Sequence, residues 1–483
     1  MERKNVMKRI ILYSFVIVLL LAIAFSSANA ATHFTIDTMV NVQNLSSSLA
    51  NINLNFYDMN GTSSTVSDTI PANNDKLYFP LGVGSGFNGS MIISSDQEIR
   101  AVANLYGTGG GIGAASYTGM QSGDTEVLLP LLMQNNNGFD TWFHIQNTGT
   151  TTATVDVNYS DGTSVLGTEI GPGAAALYDQ ATETHNTPPN AFSAEVTSDQ
   201  PIVVTVIEEE SAGNVMYAYN GFGRNSADIG TGLVAPLINA NNNNYISSVQ
   251  IQNAGTISTT VTLSYTPEAG SGDPPCVETH VLDAGEMEVF TLYPFAGFDP
   301  SIAFPGASST CDDLYPGQAK FVGSAQVTTN SNSQKLVAIA QQLSSDDGGE
   351  TFKDGEAYGS FNPDVATNTF VMPLILEHYT TNNYVSSVNL MRVGGSTAFT
   401  VTCTFTDNVY TWTSPSLATN GDSAVKIFYQ NLDPTGGTSG GYVGSGICTA
   451  SETDAQVIAV VNQLGLVTGG DYLLVYEGLP VSP

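Results

Sequence analysis

The sequence predicts an all-β fold of four tandem β-sandwich domains, and three observations lead to that class. One strand pattern recurs, and its closing asparagine stands at Asn44, Asn147 and Asn253, with spacings of 103 and 106 residues. A period near a hundred residues is the size of a domain, not of one solenoid turn. Polar and apolar residues alternate with a period of two, as in residues 260–265. Tight-turn dipeptides such as Asn60-Gly61 separate these segments, which is typical of β-hairpins.

The elements of each copy follow in a fixed order. An apolar segment around a proline opens the later copies, at Pro130, Pro236 and Pro373. Because proline has no backbone N–H to donate, we expect these opening strands at a sheet edge. In the fourth copy, Met391-Arg392 replaces the Gln-Asn pair that ends the next strand elsewhere. Each copy closes with an apolar strand after a glutamine, and then with a tyrosine followed closely by glycine. These tyrosines are Tyr117, Tyr219, Tyr358 and Tyr476.

The copies predict a leader followed by four sandwich domains, each with its own hydrophobic core. The domains are immunoglobulin-like in size and strand count, but the immunoglobulin disulfide and central tryptophan are missing from the pattern. The predicted units are residues 1–30, 31–124, 125–230, 231–366 and 367–483. The third domain carries two insertions, and the first lacks an opening strand.

Residues 1–30 have the three parts of a secretory signal peptide. Four basic residues lie within the first nine positions, residues 10–25 are apolar, and Ala28-Asn29-Ala30 has the pattern of a cleavage site. The apolar run is short for a membrane span, so we expect cleavage rather than a retained anchor. The mature chain should be secreted, remain associated with the cell surface, and contain no transmembrane segment.

The charge of the chain excludes several classes of partner. The net charge is −32, and removal of residues 1–30 takes away four of the twelve basic residues and one acidic residue, which leaves −35. Nucleic acids and anionic membranes require positive charge on the protein, so neither is expected as a partner. Such a balance favours solubility, or a setting rich in salt or divalent cations.

The four cysteines fall only in the last two copies, with Cys276 and Cys311 in the third and Cys403 and Cys448 in the fourth. In a secreted protein, an even number that divides by domain predicts disulfides within each domain. We therefore expect the pairs 276–311 and 403–448, although four cysteines allow three connectivities.

No motif predicts catalysis. Residues 84–89 match the dinucleotide-binding fingerprint, and residues 437–441 match a nucleophile elbow. Neither segment has the strand-to-helix context that these motifs require. The five histidines are scattered, and none has the spacing of a zinc ligand. We expect no catalytic and no cofactor-binding residues, and hence no enzyme.

One acidic segment is a candidate metal site. Asp346, Asp347, Glu350 and Asp354 lie close together in the third copy. An oxygen-rich loop of this kind could hold calcium between domains, although the spacing is not that of an EF-hand. The alternative interpretation is a solvated acidic loop.

The two ends of the chain suggest a route to self-assembly. The first copy has no room for an opening strand after Ala31, while the last residues, 479–483, resemble a shortened opening strand. An exposed edge invites a strand from another molecule, so a head-to-tail filament formed by strand addition is one hypothesis. The alternative is a smaller first domain and a disordered tail.

In repeat architecture and composition, residues 31–483 resemble secreted bacterial surface proteins made of tandem immunoglobulin-like sandwiches. The resemblance implies a non-enzymatic structural or adhesive protein of the cell surface, with self-association or a surface polysaccharide as its partner. A carbohydrate-binding accessory protein is the second hypothesis. A secreted enzyme with a site in the insertions of the third copy is the third. No family motif supports a transfer of individual residue roles.

Overall fold

The regular structure is almost entirely β. A computed structural model describes residues 16–20, 34–109, 111–136, 138–186, 190–268, 275–291, 320–345, 352–406, 411–427, 441–467 and 469–481. Within these ranges the one helical element is a 3-10 turn at Pro363–Val365, so the predicted all-β class is confirmed. No helix in the same ranges is long and apolar enough to cross a membrane.

The strands fall into four repeats. Repeat 1 contains β1 to β8, which are Val16–Leu20, Thr35–Asn44, Ala50–Asp58, Ser63–Ile70, Asp75–Tyr78, Gly89–Ser95, Ile99–Thr108 and Ile112–Thr118. Repeat 2 contains β9 to β16, which are Asp124–Met133, Phe139–Asn147, Ala153–Tyr159, Ser164–Ile170, Ala175–Asp179, Ala191–Glu210, Met216–Asn220 and Phe222–Gly223. Repeat 3 contains β17 to β24, which are Gly232–Ala240, Tyr245–Asn253, Thr259–Pro267, Cys276–Leu282, Met287–Thr291, Phe321–Thr329, Leu336–Ser344 and Gly355–Gly359. Repeat 4 contains β25 to β33, which are Thr369–Tyr379, Tyr384–Gly394, Val401–Phe405, Thr411–Thr413, Ser423–Ile427, Tyr442–Ala450, Gln456–Gly465, Leu473–Glu477 and Leu479–Pro480.

All four repeats have the same topology. The expectation that repeat 1 lacks an opening strand is therefore wrong for the full chain, because Val16–Leu20 of the predicted leader pairs with β6 at that position. Counted from the opening strand, one antiparallel sheet has the order 1-6-3-4 and the other has the order 5-2-7-8. In repeat 2 the long strand β14 serves both sheets: residues 194–198 pair with β11 and residues 202–210 pair with β10. The eighth strand of each repeat, which carries the recurring tyrosine, therefore lies at a sheet edge. These eighth strands are β8, β15, β24 and β32. In repeat 2 the eighth strand is β15, because β14 forms both the sixth and the seventh strand.

The recurring tyrosine is fixed by a break in the opening strand. The ladder between β17 and β22 shifts register between Ala235 and Ile238, where Pro236 cannot donate. The Tyr358 hydroxyl fills that break, because it donates to Leu237 O at 2.6 Å and accepts from Leu237 N at 3.3 Å. Repeats 2 and 4 repeat the arrangement, with Tyr219 on Leu131 and Tyr476 on Leu374. Proline and tyrosine are thus two halves of one structural unit.

The recurring asparagine ties loops to the second strand. The Asn147 amide donates to Thr151 O at 2.7 Å and Ile170 O at 2.8 Å, and its Oδ1 accepts from Gly149 N at 2.8 Å. Asn44 and Asn253 make the equivalent contacts. These bonds tie the loop after β10 and the end of β12 to a fully buried side chain.

Arg392 takes over this role in repeat 4. It occupies the place of the asparagine in the ladder, opposite Val457. Its guanidinium donates to Thr397 O at 2.8 Å, Leu417 O at 2.9 Å and Gly395 O at 2.7 Å. The loss of the Gln-Asn pair in the fourth copy is therefore a replacement of donors, not a loss of the loop contact.

One predicted disulfide is confirmed. Cys403 and Cys448 face each other on neighbouring strands, and their sulfur atoms are bonded. Cys276 is also disulfide-bonded, but its predicted partner Cys311 lies outside the described residues. The pair 276–311 stays a prediction.

The C-terminal residues do not form a spare strand. Leu479 pairs with Val371 in repeat 4, as Phe222 pairs with Leu128 in repeat 2. Phe361 forms the corresponding bridge to Val234 in repeat 3. The expectation that residues 479–483 resemble a shortened opening strand is therefore wrong for residues 479–481, the described part of that segment. The segment closes its own repeat, because it follows the tyrosine by the same number of residues as its counterparts.

The hydrophobic cores are not separate. Each of the four core clusters joins two neighbouring repeats, and the fourth joins repeat 4 back to repeat 1, where Met39 and Val102 pack with residues of β25 and β26. Burial of apolar side chains between the repeats therefore closes the chain into a ring rather than a string. The predicted domain boundaries themselves stay a prediction.

The asparagine contacts lead to a stability prediction. We expect Asn147→Ala to lower the free energy of unfolding by about 2–3 kcal/mol, because it removes three hydrogen bonds made by a buried side chain. Denaturant unfolding followed by circular dichroism measures the change. The control is Asn158→Ala, an exposed position on β11 of the same repeat. Equal effects of the two substitutions would contradict the proposed role of Asn147.

Candidate functional site at the axis of the ring

The four eighth strands meet at the centre of the ring. β8 contacts β15 and β32, and β24 contacts the same two strands, so the four edges surround a common axis. An edge strand presents N–H groups that have no partner in its own sheet. Away from water, each such group costs free energy unless another acceptor reaches it. The centre of the ring therefore requires acceptors.

A single carboxylate supplies acceptors to all four repeats. Glu356 of β24 accepts from Ser116 N at 2.7 Å, Ala218 N at 3.0 Å, Ala357 N at 2.9 Å and Val475 N at 3.4 Å. Each of these four residues directly precedes the tyrosine of its repeat. Two carboxylate oxygens offer about four lone-pair sites, so one side chain matches the four equivalent donors. Glu356 lies on the axis.

Two further carboxylates lie along the axis, one on each side of Glu356. Asp471 accepts from Met216 N at 3.1 Å, Gly355 N at 3.2 Å and Leu473 N at 3.1 Å, which again are equivalent positions of three repeats. On the other side, Glu477 accepts from Gly359 N at 2.6 Å and from the Thr118 hydroxyl at 3.3 Å. Acidic side chains from repeats 3 and 4 thus form a stack of three along the axis.

The environment of the stack raises the proton affinity of its members. Burial raises the pKa of Glu356 well above its ordinary value, although the N–H donors favour its charged form. Burial also raises the pKa of Asp471 well above its ordinary value, and the nearby Asp354 charge acts in the same direction. The pKa of Glu477 is raised by burial as well.

Another buried acid lies between repeats 2 and 3. Glu208 of β14 is fully buried, and its Oε2 accepts from Gln341 Nε2 at 2.5 Å. Its other oxygen has no hydrogen-bond partner. Burial raises the pKa of Glu208 to about 8, so this carboxyl is largely protonated at neutral pH. Like the axial acids, it is placed by packing between two repeats.

A cavity of about 550 Å³ opens at the end of the axis where the eighth strands finish. All four repeats line it with the residues that follow their tyrosines. Glu477 contributes a carboxylate, Phe222 and Phe361 contribute apolar walls, and the exposed Asp228 lies at the rim. Such a volume and mixture of surfaces suit a small ligand. Histidine, cysteine and lysine are missing from its described lining.

The predicted calcium site is only partly described. Asp346, Asp347 and Glu350 lie outside the described residues. Asp354 is buried, and its Oδ2 accepts from Tyr245 Oη and Ser344 Oγ, each at 3.1 Å. In the described part of the chain, no three His, Cys, Asp or Glu side chains are placed to hold a metal ion. The calcium site stays a prediction.

The axial acids were not identified from the sequence. Glu356 ends the acidic stretch 346–356, which suggests a calcium loop and not an axial acceptor, and no sequence pattern marks Asp471. The repeat positions of Glu356 in the other copies hold Ala115, Tyr217 and Leu474. The sequence contains one signal of this site: an acidic residue two positions before the recurring tyrosine, where the other copies have an uncharged residue. The acidic run 208–210 was visible in the sequence, but nothing there indicated that Glu208 would be buried.

Comparisons with known proteins add little. No family model matches the chain, and no curated protein matches it. Among solved structures, the chain is similar at 12% identity to one described as a tetra-tandem repeat in the extending region of a large adhesion protein. The match covers 96% of this chain and 99% of that chain, with a TM-score of 0.09. A score this low carries no argument about fold or function.

The axial geometry predicts a large effect of Glu356. We expect Glu356→Gln to lower the free energy of unfolding by about 3 kcal/mol or more, because an amide NH₂ would face backbone donors and leave some unpaired. Thermal and denaturant unfolding measure the loss. The matched control is Glu452→Gln on the exposed surface of repeat 4. A variant as stable as the control would contradict the axial role.

Glu208 predicts a pH dependence of stability. Because its pKa is about 8 in the folded chain against an ordinary value of 4.5, its contribution is complete below pH 4.5 and is lost as the pH rises towards 8. Stability should fall by up to about 1.4 kcal/mol per pH unit in that window on account of this group. Thermal unfolding at several pH values measures it.

The buried acids of the axis also make stability fall as the pH rises, because their pKa values are raised too. The test therefore compares the pH profile of stability of a variant with that of the parent chain. Glu208→Gln should flatten the pH profile relative to the parent chain, whereas Glu169→Gln, at an exposed position of the same repeat, should not. Parallel profiles for all three proteins would refute the buried-acid explanation.

Proposed function

We propose that this chain is a secreted, non-enzymatic protein of the cell surface with a structural or adhesive role. The observation that carries the proposal is the use of the buried ionisable groups. The acids that converge from distant repeats accept hydrogen bonds from backbone N–H groups, so they serve to hold the repeats together. Because their oxygens are occupied by these backbone hydrogen bonds, a structural role is favoured over a catalytic one.

The repeats themselves are best interpreted as four immunoglobulin-like domains. In a constant-type immunoglobulin domain the sheets contain strands in the orders B-E-D and C-F-G. Strands 1, 6 and 3 and strands 2, 7 and 8 of each repeat have these two orders. The fourth and fifth strands are additions between D and E. Domains of this kind present variable loops on a stable framework, which suits a surface protein.

Polar loops gather at one end of the ring. The asparagine-rich loops after the opening strands contact the loops that lead into the eighth strands, as in the bonds of Leu466 N to Asn382 O and Ser345 N to Asn244 O. Asn135, Asn241 and Asn383 have positive φ angles, which asparagine tolerates. Neutral amides at one end offer hydrogen bonds to a surface polymer without charge repulsion.

The test is made on the producing cells. Electron microscopy should show a surface layer or filaments on cells that make the chain, and their loss when its gene is deleted. Expression of the parent chain in the deleted cells should restore the surface layer. If the Glu356→Gln variant fails to fold, it should not restore the layer, which would link the layer to the folded ring. An unchanged surface, together with turnover of a substrate by the purified chain, would refute the proposal.

The axial cavity favours a second candidate, a carbohydrate-binding accessory protein. Its polar rim and aromatic walls match the chemistry of a saccharide with hydroxyl groups and an apolar face. Isothermal titration with soluble oligosaccharides should then show binding that Asp228→Asn weakens and Glu452→Gln does not. Retention on polysaccharide that is insensitive to Asp228→Asn would place any glycan contact outside the cavity.

A further inference from the structure

The opening-strand position of repeat 1 differs from the other three. There β6 pairs with Val16–Leu20, a segment of the predicted signal peptide. The register places Val18 opposite Ile93 and Leu20 opposite Met91, which are the places that Val127 and Leu129 hold in repeat 2. In the sequence a leucine follows Leu20, where repeat 2 has Pro130 after Leu129, and no proline occurs anywhere in residues 1–30.

The tyrosine of repeat 1 lacks the partner that the other three have. Tyr117 is 2% exposed, and its hydroxyl makes no hydrogen bond. Its counterparts Tyr219, Tyr358 and Tyr476 each bond both backbone groups of the leucine that follows the opening-strand proline. A buried hydroxyl without a partner is costly, so its retention calls for an explanation.

We propose that β6 and Tyr117 form an acceptor site for a strand from a different protein, an extended apolar segment with a Pro-Leu step. The site becomes free when residues 1–30 are removed. The incoming strand would pair antiparallel with Gly89–Ser95, and its leucine N–H and C=O would bond the Tyr117 hydroxyl. Backbone pairing provides affinity, and the break at proline provides specificity.

A second copy of this chain is a poorer donor. Its three Pro-Leu strands are each paired inside their own repeats, and Leu479 and Pro480, near the end of the chain, pair with β25. Any of them would have to leave a folded repeat first. A partner with an unpaired segment avoids that cost. The proposal rests on the proposed function only for its secreted setting.

The experiment uses the secreted full-length gene product, with its N-terminus determined by intact mass. The probe is a fluorescein-labelled peptide with the sequence of β9, residues 124–133. We expect saturable 1:1 binding by fluorescence anisotropy, and slower hydrogen exchange of the Gly89–Ser95 amides when the peptide is present.

Two tyrosine variants test the specific contact. Tyr117→Phe should weaken peptide binding about tenfold, since it removes one hydroxyl that donates and accepts. It should leave thermal stability without peptide unchanged, because that hydroxyl has no partner to lose. Tyr219→Phe should lower thermal stability and leave peptide affinity unchanged. A peptide with alanine in place of proline should bind equally to the parent chain and to Tyr117→Phe.

Four results would overturn the proposal. Three of them are a secreted chain that retains residues 16–20, a processed chain that does not bind the peptide, and binding that Tyr117→Phe does not affect. Self-association in place of peptide binding would also overturn it, in favour of a second copy as donor. Peptide binding without any surface layer on cells would leave the acceptor site intact and count against the proposed function alone.

Discussion

The structure depends on the contact between one carboxylate and four backbone N–H groups at the centre of the ring. The eighth strands are sheet edges, and their outward donors would be unsatisfied if the four repeats met there without an acceptor. Glu356 accepts from the equivalent position of every repeat. Asp471 and Glu477 extend the same principle along the axis. Edges that would otherwise promote aggregation become the surface that joins the repeats.

This arrangement explains why the repeats have diverged at one position. Ala115, Tyr217 and Leu474 occupy the places that correspond to Glu356. Four identical repeats would bring four carboxyl groups to one point on the axis, and like charges at that distance strongly disfavour ionisation. One acid and three other residues satisfy the donors without that repulsion. A covalently linked tandem array permits such asymmetry, whereas an assembly of identical subunits does not.

The proline–tyrosine pair links the two sheets of one repeat, because the proline lies in the opening strand of one sheet and the tyrosine in the eighth strand of the other. The proline interrupts the ladder of the opening strand, and the tyrosine hydroxyl satisfies the two backbone groups that the interruption exposes. Three repeats contain both halves of this unit. Repeat 1 contains only the tyrosine, so it is incomplete in a chemically defined way. The central contacts of the ring do not involve this unit, since Ser116 still donates to Glu356.

The sequence by itself predicted the all-β class, the fourfold recurrence and the pair Cys403–Cys448. The expected edge position of the proline strands is wrong for β9 and β25, which pair with strands on both sides. The confirmed features depend on local periodicity and on residues that recur at a fixed spacing. Tertiary structure alone decided that the repeats close into a ring, that Glu356 and Asp471 lie on its axis, that Arg392 replaces an asparagine, and that Leu479 closes its own repeat. Arg392 acts through contacts with nearby loops, but the other three depend on which edges and faces meet across more than a hundred residues, and side-chain type does not encode that distance.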